Sequence, residues 1–547
     1  MSREIDSQRI DKLTSTAHNS PARKDPRNQV SQPSPLLEPS ISIDSTAEDF
    51  MLPENCADGQ MQKNLLERDR CTSFRHHFHR TTTDWCDVGQ VTIDVLADDI
   101  LLCIFNVYVN GRYKREEWRT LVHVCRRWRA LVFGSPHHLN IQLFCSIRTP
   151  VLTKLDIWPA LPIVIEGQYF RKQKLENLIA AIKHNDRVCK MDFHSFFDES
   201  QLERILSLML VPFPALTNLK LSFDKRDSTA PVLPNLFLGR SAPRLQHLEL
   251  KGFSFPGLPD LLLSTTGLVS LELRRIPHSW HISPDLMVTY LSALPRLKSL
   301  ILGFESRQSH PDRESHHFPL PTRTLLPALT RFKFEGANEY AEDLVTRIDT
   351  PRLNNLDITF FPETVFDISH LSQSISRHVP KFQAPDKAGV AFSDDHITAT
   401  LFFPAPGYER LVLGILCDDS AGQLLSLIEL CRPFLPAFAM VKRLYIRQYG
   451  YCSRQRWKRG IKHSHWLQLL HFFTDAKDLY ISNEITTCVA PVLENLGGEK
   501  ATEVLPALRN LFFQECEELS LPTLEGMEGF IAERELSGHP IAVSDWF

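Results

Sequence analysis

Residues 242 to 252 read APRLQHLELKG, and their spacing decides how the rest of this 547-residue chain is understood. Leu245, Leu248 and Leu250 fall three and then two residues apart. The last two alternate with polar residues, as a strand with one buried face requires. The same figure recurs as FPALTNLKLSF from Phe213, TTGLVSLELRR from Thr265, LPRLKSLILGF from Leu294, LPALTRFKFEG from Leu326 and TPRLNNLDITF from Thr350. Its first apolar residues are Leu216, Leu245, Leu268, Leu297, Leu329 and Leu353, at intervals of 29, 23, 29, 32 and 24. Weaker copies begin at Met440 (MVKRLYIRQYG), Asp475 (DAKDLYISN) and Leu505 (LPALRNLFFQE).

A unit this short cannot bury its apolar face alone, so neighbouring units must stack, and the pattern is that of leucine-rich repeats of irregular length. Each strand then needs an outer element behind it. Ser283 and Pro284, followed by Leu286, Tyr290, Leu291 and Leu294, supply a capping hydroxyl, a proline at the first helical position and an apolar helix face. Leu202, Ile205, Leu206 and Met209 after Asp198 make a second such face, and Trp466, Leu469, Leu470 and Phe473 a third. The interval from Leu353 to Val441 leaves room for about three degenerate repeats, with ITATLFF and RLVLGIL as their strands. Earlier, in VLTKLDIWPALPIVIEG (residues 151 to 167), Leu155, Ile157, Ile163 and Ile165 alternate and suggest strands. A last helix from Leu521 and a closing strand in HPIAVSDWF would cap the stack.

Two-residue alternation places the residue between the last two apolar positions on the concave surface. That row reads Lys220, Glu249, Glu272, Ile301, Lys333, Asp357, then Tyr445, Tyr480 and Phe512, with Arg443 and Arg447 flanking Tyr445. Aromatic and arginine side chains on a rigid surface are the types that anchor protein partners. Tyr445, Arg443, Arg447, Tyr480 and Phe512 are therefore the candidate target-binding residues.

Ahead of the repeats, residues 91 to 139 carry three short helical stripes. Ile100, Leu101, Ile104 and Phe105 lie on the first, with Asp98 and Asp99 as first-turn acids. Asn110 and Gly111 end it. Trp118, Leu121 and Val122 mark the second helix, and Cys125, Trp128, Leu131 and Val132 the third. About 45 residues bury too little surface to be robust alone, so part of this apolar face should be covered by another chain or by the remainder of this one.

The residues Leu96-Ala97-Asp98-Asp99-Ile100-Leu101-Leu102-Cys103-Ile104-Phe105, then Leu121-Val122-His123-Val124-Cys125-Arg126-Arg127-Trp128 with Leu131 and Val132, resemble the F-box. Ala97 stands where that family usually has a proline. The resemblance implies binding to the Skp-type adaptor of cullin-based ubiquitin ligases, through Leu96, Ala97, Ile100, Leu101, Ile104, Phe105, Leu121, Val122, Cys125 and Trp128. With WRTLVHVCRRWRALVFGSP, LDIWPALPIVI, VKRLYIRQ, EVLPALRNLF and LSGHPIAVSDW, the chain is similar to the expanded family of F-box proteins with leucine-rich repeats in mushroom-forming fungi. The fold expected is α/β: a small three-helix F-box-like module (89–140) and then an irregular leucine-rich-repeat horseshoe (141–547), after a disordered stretch (1–88). The function implied is substrate recognition for a Skp-cullin-F-box ubiquitin ligase, with an unknown protein target. The alternative is an adaptor-binding or scaffolding protein that never engages the cullin.

Composition agrees with that class without naming it. The 61 basic and 65 acidic side chains nearly balance, which gives no electrostatic argument for nucleic acid or an anionic membrane. Apolar runs such as Leu161 to Ile165 and Leu411 to Leu416 fall far short of the ~20 residues that span a bilayer. The N-terminus lacks a secretory signal, and scattered cysteines inside apolar runs fit reduced thiols, so a cytoplasmic or nuclear location is expected. No nucleophile elbow, phosphate loop or His-Glu-x-x-His occurs, so neither enzyme activity nor a cofactor is expected. Cys71, His76, His77, His79 and Cys86 cluster but match no paired-ligand spacing, so no metal is expected. Asp394, Asp395 and His396 resemble an acid/base group but sit in a Ser-Asp-Asp loop that suits a turn.

Overall fold

The structure, a computed structural model, describes residues 93–110, 116–146, 151–167, 175–194, 199–223, 230–306, 323–363, 366–378, 384–404, 410–416, 422–449, 461–496, 500–514 and 527–546. From Asp94 onward they form one compact unit. The stretch expected to be disordered, 1–88, and the Cys71 to Cys86 cluster lie outside the described residues.

A sixteen-stranded sheet organises the unit. In chain order its strands are β1 (Leu143–Ser146), β2 (Ile163–Gly167), β3 (Val188–His194), β4 (Asn218–Ser222), β5 (His247–Lys251), β6 (Ser270–Ile276) and β7 (Ser299–Phe304). A two-residue pair, β8 (Thr324–Leu325) and β10 (Ile348–Asp349), stands apart from the sheet. The main series continues as β9 (Arg331–Gly336), β11 (Asn355–Phe360), β12 (Lys387–Phe392), β13 (His396–Phe402) and β14 (Arg410–Leu416). It ends with β15 (Arg443–Gln448), β16 (Asp478–Ile481), β17 (Asn510–Gln514) and β18 (Ala542–Trp546). The result is an α/β fold with a long, mostly parallel sheet, compatible with a leucine-rich-repeat architecture.

The repeat leucines explain the stacking. Leu219, Leu248, Leu271 and Leu300 pair rung by rung, as do Leu221, Leu250, Leu273 and Leu302, and all are buried. Helices cover them from one side, and the helix Pro284–Ser292 begins as its sequence asks, with the Ser283 hydroxyl accepting the Leu286 N–H at 3.3 Å. A second order runs along the turns before the strands. The Thr217 carbonyl accepts the N–H groups of Gln246 and His247, that of Gln246 accepts Val269 and Ser270, and that of Val269 accepts Lys298 and Ser299. Each turn thus satisfies its backbone on the next repeat, which is why a repeat is stable only beside a neighbour.

Two sequence expectations are corrected. Residues Val151–Ile157 form a helix, not a strand, and only Ile163–Gly167 of that stretch joins the sheet. The unanticipated strand β1 lies parallel to β2, and parallel neighbours need a crossover element between them. The second correction concerns the long interval before Val441. Instead of three degenerate repeats it holds an antiparallel meander: β13 runs antiparallel to β12 and β14, giving the spatial order β11-β14-β13-β12-β15. Because β14 pairs parallel with β11 and β12 parallel with β15, the meander splices into the sheet without breaking its register. Of the expected closing elements, β18 is present and the last helix spans Glu528–Leu536, while residues 521–526 lie outside the described residues, as does Asp198 ahead of the Leu202 to Met209 helix face.

The helical module comprises α1 (Asp98–Val109), α2 (Trp118–Val122) and α3 (Arg126–Gly134). Its core of Leu101, Phe105, Trp118, Leu121, Val122 and Val132 runs on into Leu139, Ile141, Leu143 of β1 and Leu161. A polar clip reinforces the join. Glu116 accepts the Phe144 N–H at 3.0 Å and pairs with Lys154 at 3.1 Å, and Lys154 donates to the Phe144 carbonyl at 2.8 Å. Both backbone groups of that residue on the edge strand β1 are thereby satisfied.

Candidate functional site

Two surfaces of the described residues stand out by the side chains they carry. The first lies on α1, whose acidic first turn, Asp98 and Asp99, suits the helix dipole. Arg127 of α3 fixes this end, donating to Asp98 at 2.6 Å and to the Leu96 carbonyl at 2.6 Å. Apolar residues on α1 divide into two stripes. Leu101 and Phe105 are buried, and Phe105 packs on Trp128 with ring centroids 4.7 Å apart. Ile100, Ile104, Val107 and Tyr108 are 47%, 44%, 77% and 42% exposed, at spacings that place all four on one helical face.

The structure therefore distributes the ten F-box-like candidates unevenly. Ile100 and Ile104 face solvent, Ala97 and Cys125 are exposed, and Leu96 and Trp128 are half-buried. Leu101, Phe105, Leu121 and Val122 lie inside the module's own core. Cys125 also has a local task, its sulfur accepting the Trp128 N–H at 3.5 Å as the N-cap of α3. Val107 and Tyr108 belong to the exposed stripe but were absent from the sequence reading, although extending the Ile100 spacing by two turns reaches them. Ala97 is extended, with φ −63° and ψ 153°, a φ that proline would also adopt.

The second surface is the sheet face turned away from the helices. Strand pairing aligns Asp192, Lys220, Glu249, Glu272, Ile301, Lys333 and Asp357 on one row. The row continues through Val412, Thr400 and Gly389 to Tyr445, Tyr480 and Phe512. Its first part is charged but largely self-neutralised: Lys220 pairs with Glu249 at 3.0 Å, Lys333 with Asp357 at 3.2 Å, and Arg274 with Glu272. Burial, with Glu272 alongside, pushes the Glu249 carboxyl above its usual range against the pull of Lys220.

Beyond the meander the character changes. Tyr445 and Tyr480 stack with centroids 4.3 Å apart and planes 12° from parallel, and Tyr480 and Phe512 stack at 4.4 Å and 8°. Adjacent parallel strands are ~4.8 Å apart, so identical positions carrying rings produce such a column without strain. Arg447 places its guanidinium carbon 4.6 Å from the Tyr445 centroid. Arg443, on the same face, pairs with Asp386, and that hydrogen bond holds its guanidinium firmly protonated. The five target-binding candidates are thus brought together on three consecutive strands. Beside them lies a cavity of about 610 Å³ lined in part by Gly389, Thr400, Phe402, Tyr445, Arg447 and Tyr449. Gly389, Phe402 and Tyr449 were not singled out from sequence, because nothing there says that β12 sits next to β15.

The Ser393 to His396 segment is the turn between β12 and β13. Ser393 Oγ donates to Asp395 at 2.5 Å and accepts the His396 N–H at 3.1 Å. Both Ser393 Oγ and Asp395 approach the same ring nitrogen, His396 Nδ1, at 3.0 and 2.6 Å. A serine activated through histidine needs the hydroxyl and the carboxylate on opposite ring nitrogens. This arrangement orders a turn. No group of three or more His, Cys, Asp or Glu suited to a metal occurs among the described residues, and no described helix is long and apolar enough to cross a membrane.

No protein-family model matches the chain, and no curated protein matches it. Among solved structures, it is similar to a leucine-rich repeat-containing protein from Legionella pneumophila, at 14% identity over 61% of this chain and 94% of that one, with a TM-score of 0.26. At that score the likeness carries no argument, and the repeat architecture rests on the strand order, register and buried columns described above.

Proposed function

We propose that this protein is a non-enzymatic, protein-binding repeat protein that acts as the substrate-recognition subunit of a Skp-cullin-F-box ubiquitin ligase. The observation that carries the reading is the division of α1 into a buried stripe and an exposed one. A helix whose Leu101 and Phe105 hold the module together while Ile100, Ile104, Val107 and Tyr108 remain in water has a second apolar face available to another chain. The F-box-like residue order makes the Skp-type adaptor the partner for that face. The repeat sheet supplies the second contact, through the column of Tyr445, Tyr480 and Phe512 with Arg443 and Arg447 beside it.

In this role the chain needs no chemistry of its own. Its task is to hold a target near a ubiquitin-loaded conjugating enzyme, and raising local concentration is itself catalytic. A rigid connection makes that effective, and the core shared by α1–α3 and β1, with the Glu116–Lys154 clip, provides one.

Affinity capture with the full-length protein tests the assignment. Recovery of both adaptor and cullin is the expected result, adaptor without cullin would favour a scaffold, and recovery of neither would remove the ligase reading. On the target side, the combined Tyr445→Ala, Tyr480→Ala and Phe512→Ala variant should keep the adaptor and lose its other captured proteins. An unchanged set of captured proteins would remove the sheet face from the account.

A further inference from the structure

Glu335 carries a charge on the sheet face that no other described residue neutralises directly. It follows Lys333 by two residues on β9, so strand alternation sets both side chains on the same face. On its own rung lie Gly303, Thr359, Gly414, Thr398 and Ala391, none of which can supply a cation. The cations near it are engaged elsewhere. Lys333 pairs with Asp357 at 3.2 Å, Arg274 with Glu272, and His396 Nδ1 meets Asp395 at 2.6 Å. Among the described residues, no hydrogen bond or ion pair ends on the Glu335 carboxylate.

Its surroundings make that costly. Ile301, Asp357 and Thr359 on the adjoining strands are nearly excluded from water, and Glu335 itself is half-buried. This loss of water pushes its carboxyl above the usual glutamate range, against the pull of Lys333, Arg274 and His396 and with Asp395 adding to the rise. A carboxylate that gives up water without gaining a donor destabilises the folded chain. A cation brought by another molecule would supply the missing donor and favour the charged form. Because Glu335 is half-buried rather than enclosed, that cation can reach it from the sheet face.

We infer that Glu335 is the receptor for a lysine or arginine side chain of a partner polypeptide laid across the sheet. The inference rests on the sheet face being a partner surface, and it specifies what the partner must carry. From β9 the sheet order steps through β11, β14, β13 and β12 to β15, about 24 Å at the ~4.8 Å spacing of adjacent strands. An extended segment covers that distance in about seven residues, so one stretch of chain reaches both Glu335 and the ring of Tyr445. Arginine would meet the carboxylate with two parallel N–H groups, and lysine with a single compact charge.

Glu335→Gln tests this, because it removes the charge and keeps the shape. A random-peptide display selection against the full-length protein should enrich sequences with a lysine or arginine, and the enriched residue tells the two apart. A synthetic peptide of that sequence, and its copy with norleucine for the lysine or citrulline for the arginine, would then be titrated against wild type and Glu335→Gln. Neutralising either partner alone should weaken binding about tenfold, a loss of ~1.4 kcal/mol, and neutralising both should add little more. Glu335→Gln should melt no lower than wild type, since no bond within the described residues is lost. No enrichment of a basic residue, equal losses from the peptide change on both proteins, or a lowered melting temperature would overturn the inference. Peptide binding lost in the triple aromatic variant but unchanged in Glu335→Gln would remove the role of Glu335 and leave the partner surface standing. Binding unaffected by either variant would remove both.

Discussion

Arg534 shows how much one side chain can hold at the end of a repeat stack. It is fully buried on the last helix, donating to the carbonyls of Ala501 at 3.2 Å, Leu505 at 3.4 Å and Leu508 at 2.9 Å. Ala501 lies in the short helix Lys500–Glu503 and Leu505 and Leu508 in the turn before β17, so the guanidinium ties the last helix to the approach to that strand. Arg534→Leu removes the donors and leaves the acceptors buried, so it should cost about 2–4 kcal/mol in denaturant unfolding. A loss under 0.5 kcal/mol, the scale of an ordinary surface substitution, would show that water serves them as well.

Glu342 plays a similar part between helices. Its carboxylate, nearly excluded from solvent, accepts the N–H groups of His370 and Leu371 at 2.9 and 2.8 Å, at the start of the helix Ser369–His378. Burial raises its pKa above the usual glutamate value, although those two bonds pull the other way. A carboxyl with a folded pKa above its unfolded one stabilises most below the unfolded value, and that contribution is lost as pH rises through the folded value. Stability of wild type relative to Glu342→Gln should therefore decline as pH rises across that interval. Paired unfolding curves at a series of pH values would show it, and a difference independent of pH would contradict the assignment.

At the scale of elements, the entry to α1 offers a sharp prediction. Ala97 already has the φ that proline imposes, so Ala97→Pro should stabilise the module by about 0.4–1 kcal/mol through the unfolded chain, read as a rise in melting temperature. A lower melting temperature would mean that Leu96 cannot adopt the backbone a following proline demands. The elements also show where sequence was informative. Strands β4–β7, β9 and β11 were legible because each carries the same three-then-two spacing. Ser283 and Pro284 announced a helix because a cap and a fixed φ are local chemistry. Strand direction is not local: ITATLFF has the same alternation whether its neighbours run parallel or antiparallel. Only the Ser393–Asp395 turn marked the reversal. With β12 and β14 exchanged in space, the neighbour of Tyr445, and with it the cavity lined by Gly389, was beyond reach. On α1, alternation in burial between Ile100 and Leu101 was likewise hidden, since a helical stripe broad enough to hold both does not say which edge meets the core.

Taken as a molecule, the chain joins two surfaces of different character through one continuous body. The α1 stripe is apolar and narrow, and the far end of the sheet is aromatic and cationic, while ion pairs largely neutralise the stretch between them. Because the module shares its core with β1, the orientation of one surface fixes that of the other. The most direct test of this account is titration of a purified Skp-type adaptor against full-length wild type and an Ile100→Asp, Ile104→Asp double variant. Both positions are exposed, so the variant should melt like wild type. Setting two carboxylates in an apolar interface should weaken binding at least about 100-fold. Equal affinity for the two proteins, or no binding by wild type, would contradict it.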